Sequence, residues 1–313
     1  MKVLMPINPE SDIDALIENG MGEGYIGFED SVWRKNFGEI DCINRMSNFG
    51  SKANFRSIQD VKKICRTYSG MPFFVTVNSA SYSDKEVEFL TKMCSDLYSC
   101  GVAGIIAADP YLIKTLCEES IPVVVSTIAG VYNSQCARYY KDMGVKRIIL
   151  PRDLSLMEME MIVSKVPLEY EAFLMSDGCR YSDSACLGRH AGPGSMCYAL
   201  DHSMGCTRLH GYEGTYECVY NNFHLFHDVF HKKTCGLCSI YSLGKLGIHT
   251  VKIVGRAGAF EENLDMCKKV SANIRIADEC GSEQEYLDKM EVPEYFGTGC
   301  ENGLFCYYPE TRY

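Results

Sequence analysis

Cys179, Cys186, Cys197, Cys206, Cys218, Cys235 and Cys238 crowd one stretch of a 313-residue chain that holds 17 cysteines in all. Thiolates converging from loops with glycine neighbours, here Gly178 and Gly194, are what an iron–sulfur cluster requires. Zinc is the rival metal. Cys235-x-x-Cys238 follows His224, His227 and His231, a combination that looks like a mixed Cys/His zinc site. Against zinc, those histidines flank Phe223, Phe226 and Phe230 as on an amphipathic helix, and zinc there leaves Cys179, Cys186 and Cys197 unexplained. Both metals stay open on spacing alone. A thiolate such as Cys179 could also attack an acyl carbon, but no G-x-S-x-G elbow, H-E-x-x-H helix or P-loop accompanies it, so hydrolysis has little local support.

Basic side chains offer a second kind of chemistry. Arg152 directly follows an apolar run, and Lys252 and Arg256 surround another. At the carboxyl ends of strands these groups would hold an anionic substrate, with the planar guanidinium suited to a carboxylate; the competing reading is an ion pair with Glu169 or Glu171. Asn133 is a candidate hydrogen-bond group at the same rim.

Such groups need a frame. Short apolar runs at Lys2–Met5, Gly24–Phe28, Phe73–Asn78, Gly104–Ala108, Val123–Thr127, Arg147–Pro151, Glu169–Leu174 and Thr250–Val254 read as buried strands. Segments of helical period lie between them, at Ser57–Tyr68, Asp84–Cys100, Pro110–Glu118, Ser134–Met143 and Ser155–Val166. Ser83 before Asp84 and Glu86, and Asp153 before Ser155 and Glu158, give two of these helices acceptors and negative charge at their starts. Eight strand–helix units predict a (β/α)8, TIM-barrel-like α/β fold. The first strand is followed by no glycine-rich phosphate loop, and the glycines of Gly20–Gly24 read as a helix stop. Residues 177–237 break the rhythm and read as an irregular Cys-rich insertion after strand seven, on the face where barrel active sites sit. The barrel is expected over residues 1–275, with 276–313 as a C-terminal extension that carries Cys280, Cys300 and Cys306.

With 31 basic and 41 acidic residues the net charge is −10, which argues against nucleic acid as a partner. The opening has acids where a signal peptide has basic residues, and no apolar run reaches membrane-spanning length, so the chain reads as cytoplasmic, with no membrane partner. Disulfides are a poor explanation of cysteine excess in that compartment. Cys65, Cys94, Cys117, Cys136 and Cys267 sit in helical patterns and read as packing.

The residues from Ile121 to Cys179 closely resemble the peptidase U32 (collagenase-like) family, whose members run through a strand, S-T-x-x-x-x-x-N, a helix, G-V-x-R-x-x-L-x-R-E/D-L-S and a later E-x-F-x5-C segment. Here Ser126-Thr127, Asn133, Gly144-Val145, Arg147, Leu150, Arg152-Asp153-Leu154-Ser155, Glu171, Phe173 and Cys179 fill those places. Cys238 to Arg256 is similar to the family's K-I-E-G-R block, and Asn48–Phe55 resembles its N-terminal portion. The resemblance implies a (β/α)8-like barrel and a 4Fe–4S cluster held by Cys179, Cys186, Cys197 and Cys238, with Cys206 or Cys235 as substitutes. It also implies oxygen-independent hydroxylation: better-understood relatives act on a quinone precursor or on RNA bases, some taking the oxygen from prephenate. Two departures stand out. Met175-Ser176 replaces the family's His-Gly, and Val254 replaces the acid of K-I-E-G-R, which removes two proton-transfer candidates. The chain lacks the length of the larger RNA-modifying relatives.

These readings converge on an iron–sulfur hydroxylase acting on a small aromatic or carboxylate metabolite, bound by Arg152, Lys252, Arg256 and Asn133. The alternatives are a non-catalytic partner of a second U32-family subunit and a zinc-dependent peptidase.

Overall fold

The computed structural model of the chain describes residues 1–38, 42–176, 178, 183–185, 234–292, 300 and 305–311. Its centre is a closed barrel of eight parallel strands in sequence order, so each strand pairs with its two chain neighbours and β8 returns to β1. The strands are β1 (Lys2–Ile7), β2 (Glu23–Gly27), β3 (Phe73–Val77), β4 (Gly104–Ala107), β5 (Val123–Val125), β6 (Arg147–Ile149), β7 (Glu169–Met175) and β8 (Thr250–Ile253). Nearly every position along them is buried, because helices cover one face and barrel side chains fill the other. That double burial makes these strands continuous apolar runs rather than alternating ones. The expected strands five and six run shorter than read: Thr127 opens a 3-10 turn, and Pro151, which lacks an N–H, lies beyond the end of β6.

The helices that wrap the barrel are α1 (Ile13–Glu18), α2 (Ser31–Phe37), α3 (Ile58–Thr67), α4 (Asp84–Ser99), α5 (Pro110–Glu118), α6 (Ser134–Asp142), α7 (Leu156–Val163), α8 (Ile240–Lys245), α9 (Phe260–Glu279) and α10 (Glu283–Lys289). Ser83 and Glu86 close a capping box on α4, as the sequence suggests. On α7 the cap is Ser155 with Glu158, and Asp153 instead accepts a hydrogen bond from the Tyr132 hydroxyl at 3.0 Å. Gly20 ends α1 with φ +100°, and Gly20 and Met21 donate to Ile17 O and Leu16 O, the paired bonds of a Schellman stop. The reading of that glycine cluster as a helix stop therefore holds at Gly20. The expected boundary at 275/276 falls inside α9, which runs on to Glu279.

An ion cluster occupies the amino-terminal end of the barrel interior. Arg147 on β6 grips Glu23 on β2 through both guanidinium nitrogens, at 2.5 and 3.0 Å, and reaches Glu169 at 3.0 Å and Glu171 at 3.5 Å on β7. Arg147, Glu23 and Glu171 are all buried, so each depends on the others for compensation.

Candidate active site at the barrel mouth

At the carboxyl ends of the strands a cavity of about 60 Å³ opens between Tyr25, Thr76, Phe173, Lys252, Arg152 and Arg256, with Arg45 and Thr127 at its edge. Three of the four side chains expected to act here, Arg152, Lys252 and Arg256, do meet in it. The fourth does not line it: Asn133 caps α6, its side-chain carbonyl accepting from the N–H groups of Gln135 and Cys136 at 3.0 Å each. A larger cleft of about 580 Å³ beside α3, lined by Phe55, Arg56, Lys63 and Tyr68 among others, contains none of the expected residues.

Each cation at the mouth is positioned by a specific partner. Lys252 Nζ donates to Glu171 Oε1 at 3.1 Å and sits 4.2 Å from the centroid of the Tyr25 ring. Arg152 Nε donates to Asp183 Oδ2 at 2.9 Å, and its guanidinium lies 4.2 Å from the Phe173 ring centroid. Arg256 Nη2 donates to Asn44 Oδ1 at 3.0 Å. The ion-pair reading of these residues is thus right for Lys252, while Arg152 pairs with an acid the sequence did not single out. Arg256 can occupy its place because residue 27 is glycine: a Cβ there would collide with Arg256 Nη1, Ala53 O and Asn54 Oδ1.

Asp183 is the hub that sequence reasoning missed. It accepts from Thr127 Oγ1 at 2.8 Å as well as from Arg152, and Arg45 Nη1 lies 3.4 Å from its other oxygen. Burial pushes the Asp183 carboxyl up, but Arg152 and Arg45 together outweigh it and hold the group below its ordinary range. Lys252 moves down from the usual lysine value, first through burial and further through Arg256 and Arg152, against the pull of Glu171. A buried lysine shifted in that direction exchanges a proton more readily than an exposed one.

Of the expected cluster ligands, Cys179, Cys186 and Cys197 lie outside the described residues, as do Cys206 and the three histidines of the zinc reading. Cys238 is described, and its neighbours around one small cavity are Cys235, Cys300 and Cys306. Among the described residues no group of three or more Cys, His, Asp or Glu side chains is already arranged to hold a metal ion. None of the described helices is long and apolar enough to cross a membrane.

The family model described as peptidase family U32 matches residues 11–313. A tRNA hydroxylation protein P1 of Bacillus subtilis (strain 168) is 31% identical over 125 residues, which cover 39% of this chain and 29% of that protein. The tRNA hydroxylation protein P of Escherichia coli (strain K12) is 32% identical over 121 residues, 38% of this chain and 26% of the relative. The 23S rRNA 5-hydroxycytidine C2501 synthase of the same bacterium is 27% identical over 162 residues, 50% of this chain and 24% of the relative. The chain therefore spans less than a third of each of these relatives. Their names overturn the expectation of a small-molecule substrate and the argument against nucleic acid. That expectation rested on net charge, which averages over a whole surface, whereas phosphates respond to local charge such as the four cations at this mouth.

Proposed function

Because this chain belongs to peptidase family U32, we propose that it acts in the hydroxylation of a base in RNA, the reaction class for which its relatives are named. The observation that carries the reading is the grouping of Arg45, Arg152, Lys252 and Arg256 beside the rings of Tyr25 and Phe173, in a chain whose overall charge is −10. Unpaired RNA bases are recognised by stacking on aromatic or guanidinium planes while basic groups take the phosphates. The mouth supplies both. Arg45 and Arg152 meet the backbone, held in register by Asp183, and Arg152 presents its plane above Phe173.

With Met175 and Val254 in the places of the family's His and Glu, proton movement falls to Lys252, whose Nζ lies between Glu171 and the Tyr25 ring. An iron–sulfur cluster held by Cys179, Cys186, Cys197 and Cys238, the set the resemblance implies, belongs to the proposal, and when bound it would supply one-electron chemistry.

Nucleoside mass spectrometry of tRNA and rRNA from cells that lack this chain tests the reading. One nucleoside lighter by a single oxygen than in the parent is expected, with restoration by the wild-type chain and none by Lys252→Met. Unchanged nucleosides in both RNA classes would overturn the proposal.

A further inference from the structure

The cleft beside α3 has no part in the proposed reaction, yet it adjoins the mouth. It lies between the loop that follows β1 and one face of α3, and a layer of hydrogen-bonded side chains separates it from the mouth. Asn8 Nδ2 donates to Arg256 O at 2.8 Å. Asn44 Nδ2 donates to Asn54 Oδ1 at 3.0 Å, while Asn44 Oδ1 accepts from Arg256 Nη2 at the same distance. Asn8 and Asn54 line the cleft and Arg256 lines the mouth, so a strand leaving one space enters the other in a short step.

The lining of the cleft combines charge with an aromatic face. Arg56 and Lys63 are exposed at it, against a single lining acid, Asp60. Arg56 has a long ion pair with Glu29, at 3.9 Å, which leaves 56% of its side chain exposed. Tyr68 is half-buried and held at two points: its hydroxyl donates to Asp14, and its ring centroid lies 6.4 Å from that of Phe73. A ring already fixed loses little freedom when a ligand stacks on it.

We propose that this cleft binds a nucleotide that flanks the target base in the same RNA strand, with Tyr68 stacking on its base and Arg56 and Lys63 meeting its phosphates. The inference rests on the RNA reading of the mouth and adds where the neighbouring strand lies. Size divides the two spaces. About 60 Å³ at the mouth leaves no room for a second nucleotide, whereas about 580 Å³ is within the range of roughly 300–1,000 Å³ that holds ligands of nucleotide size. Base stacking on an aromatic ring with cations along the backbone is how single strands are held without regard to sequence. Asp60, three residues before Lys63 on α3, lowers the net charge, so stacking on Tyr68 must carry much of the affinity.

Fluorescence-anisotropy titration of a fluorescein-labelled oligouridylate with the full chain tests this without requiring the reaction. Tyr68→Ala should weaken binding about tenfold, and Tyr68→Phe, which keeps the ring, should stay near wild type. Arg56→Gln and Lys63→Gln should each make the slope of log affinity against log salt shallower by about 0.7. A thiouridine-substituted oligouridylate, photocrosslinked to the wild-type chain and mapped by peptide mass spectrometry, should mark the peptide that carries Tyr68, a readout that needs no variant. If the wild-type chain binds no oligouridylate, the RNA reading falls and this inference with it. If it binds while Tyr68→Ala, Arg56→Gln and Lys63→Gln match wild type, or if crosslinks fall only on residues of the mouth, the flanking site alone is overturned.

Discussion

Arg152 Nε donates to Asp183 Oδ2 at 2.9 Å with both side chains buried, which fastens the loop after β6 to the Cys-rich segment after β7. One pair thereby joins two carboxyl-end loops of the barrel and sets the guanidinium over Phe173. The mouth is consequently built from partners that are useless singly, since each charge is buried and depends on the other.

Removing one partner should be costly. Asp183→Ala leaves Arg152 buried without its carboxylate and is expected to lower unfolding stability by about 3–5 kcal/mol, measured by urea titration. Because the folded Asp183 carboxyl titrates below its unfolded value, its contribution is fully present above about pH 4 and is lost as the pH falls through the lower folded value. Asp183→Asn should therefore flatten the acid limb of a stability-versus-pH curve between those values. An acid limb identical to wild type would remove the carboxylate from the account.

Arg147 makes the matching case at the other end of the barrel. Arg147→Met takes the two-nitrogen partner from buried Glu23, which keeps the exposed Lys2, and one of two cations from buried Glu171, which keeps Lys252, and is expected to cost about 3 kcal/mol. Arg147→Lys should recover only part, since an ammonium cannot reproduce the two-nitrogen grip on Glu23. Denaturation midpoints of the two variants and the wild type check the order; an Arg147→Lys midpoint equal to wild type would show that charge alone matters there.

The barrel was readable in the sequence and the mouth only in part, for a physical reason. Strands such as Phe73–Val77 are buried on both faces, so burial writes itself as an apolar run. Arg152 and Arg256 were legible because they follow such runs, and Lys252 because it is a charge inside one. Arg45, Asn44 and Asp183 lie in stretches without period, and nothing local marks Asp183 as the partner of an arginine 31 positions away. Asn133 looked like a rim group and is a cap, since both uses need the same residue type just before a helix. The approach of Cys238 to Cys300 and Cys306 depends on a tail contact that no spacing rule encodes.

Ser176 stands where the resemblance places a glycine, and its backbone has φ +62°. That left-handed conformation strains a residue with a Cβ, whereas glycine adopts it freely. Ser176→Gly is expected to stabilise the chain by about 1 kcal/mol, seen as a higher denaturation midpoint at unchanged slope. A lower midpoint would mean that the serine side chain contributes more than the strain removes.

Gly27 controls Arg256 by leaving space. Gly27→Ala puts a methyl group into Arg256 Nη1 and into the carbonyl of Ala53, so the guanidinium must leave its bond to Asn44. The expected result is an RNA-binding defect equal in size to that of Arg256→Gln, with no further loss when the two changes are combined. Additive losses in fluorescence-anisotropy titrations would separate the glycine from the arginine.

Salt dependence distinguishes a cation that meets phosphate from one that only braces the barrel. For a single strand, each phosphate neutralised contributes about −0.7 to the slope of log affinity against log salt concentration. Arg45 reaches Asp183 at 3.4 Å and stays partly open to solvent, so Arg45→Gln should weaken tRNA binding and make the slope shallower by about 0.7. Lys2, at the opposite end of the barrel beside Glu23, carries the same charge away from the mouth for which RNA binding is proposed. Lys2→Gln should leave both affinity and slope unchanged. Equal shifts in the two variants would mean that the RNA responds to the overall charge of the chain, and the mouth would lose its claim to be the binding surface.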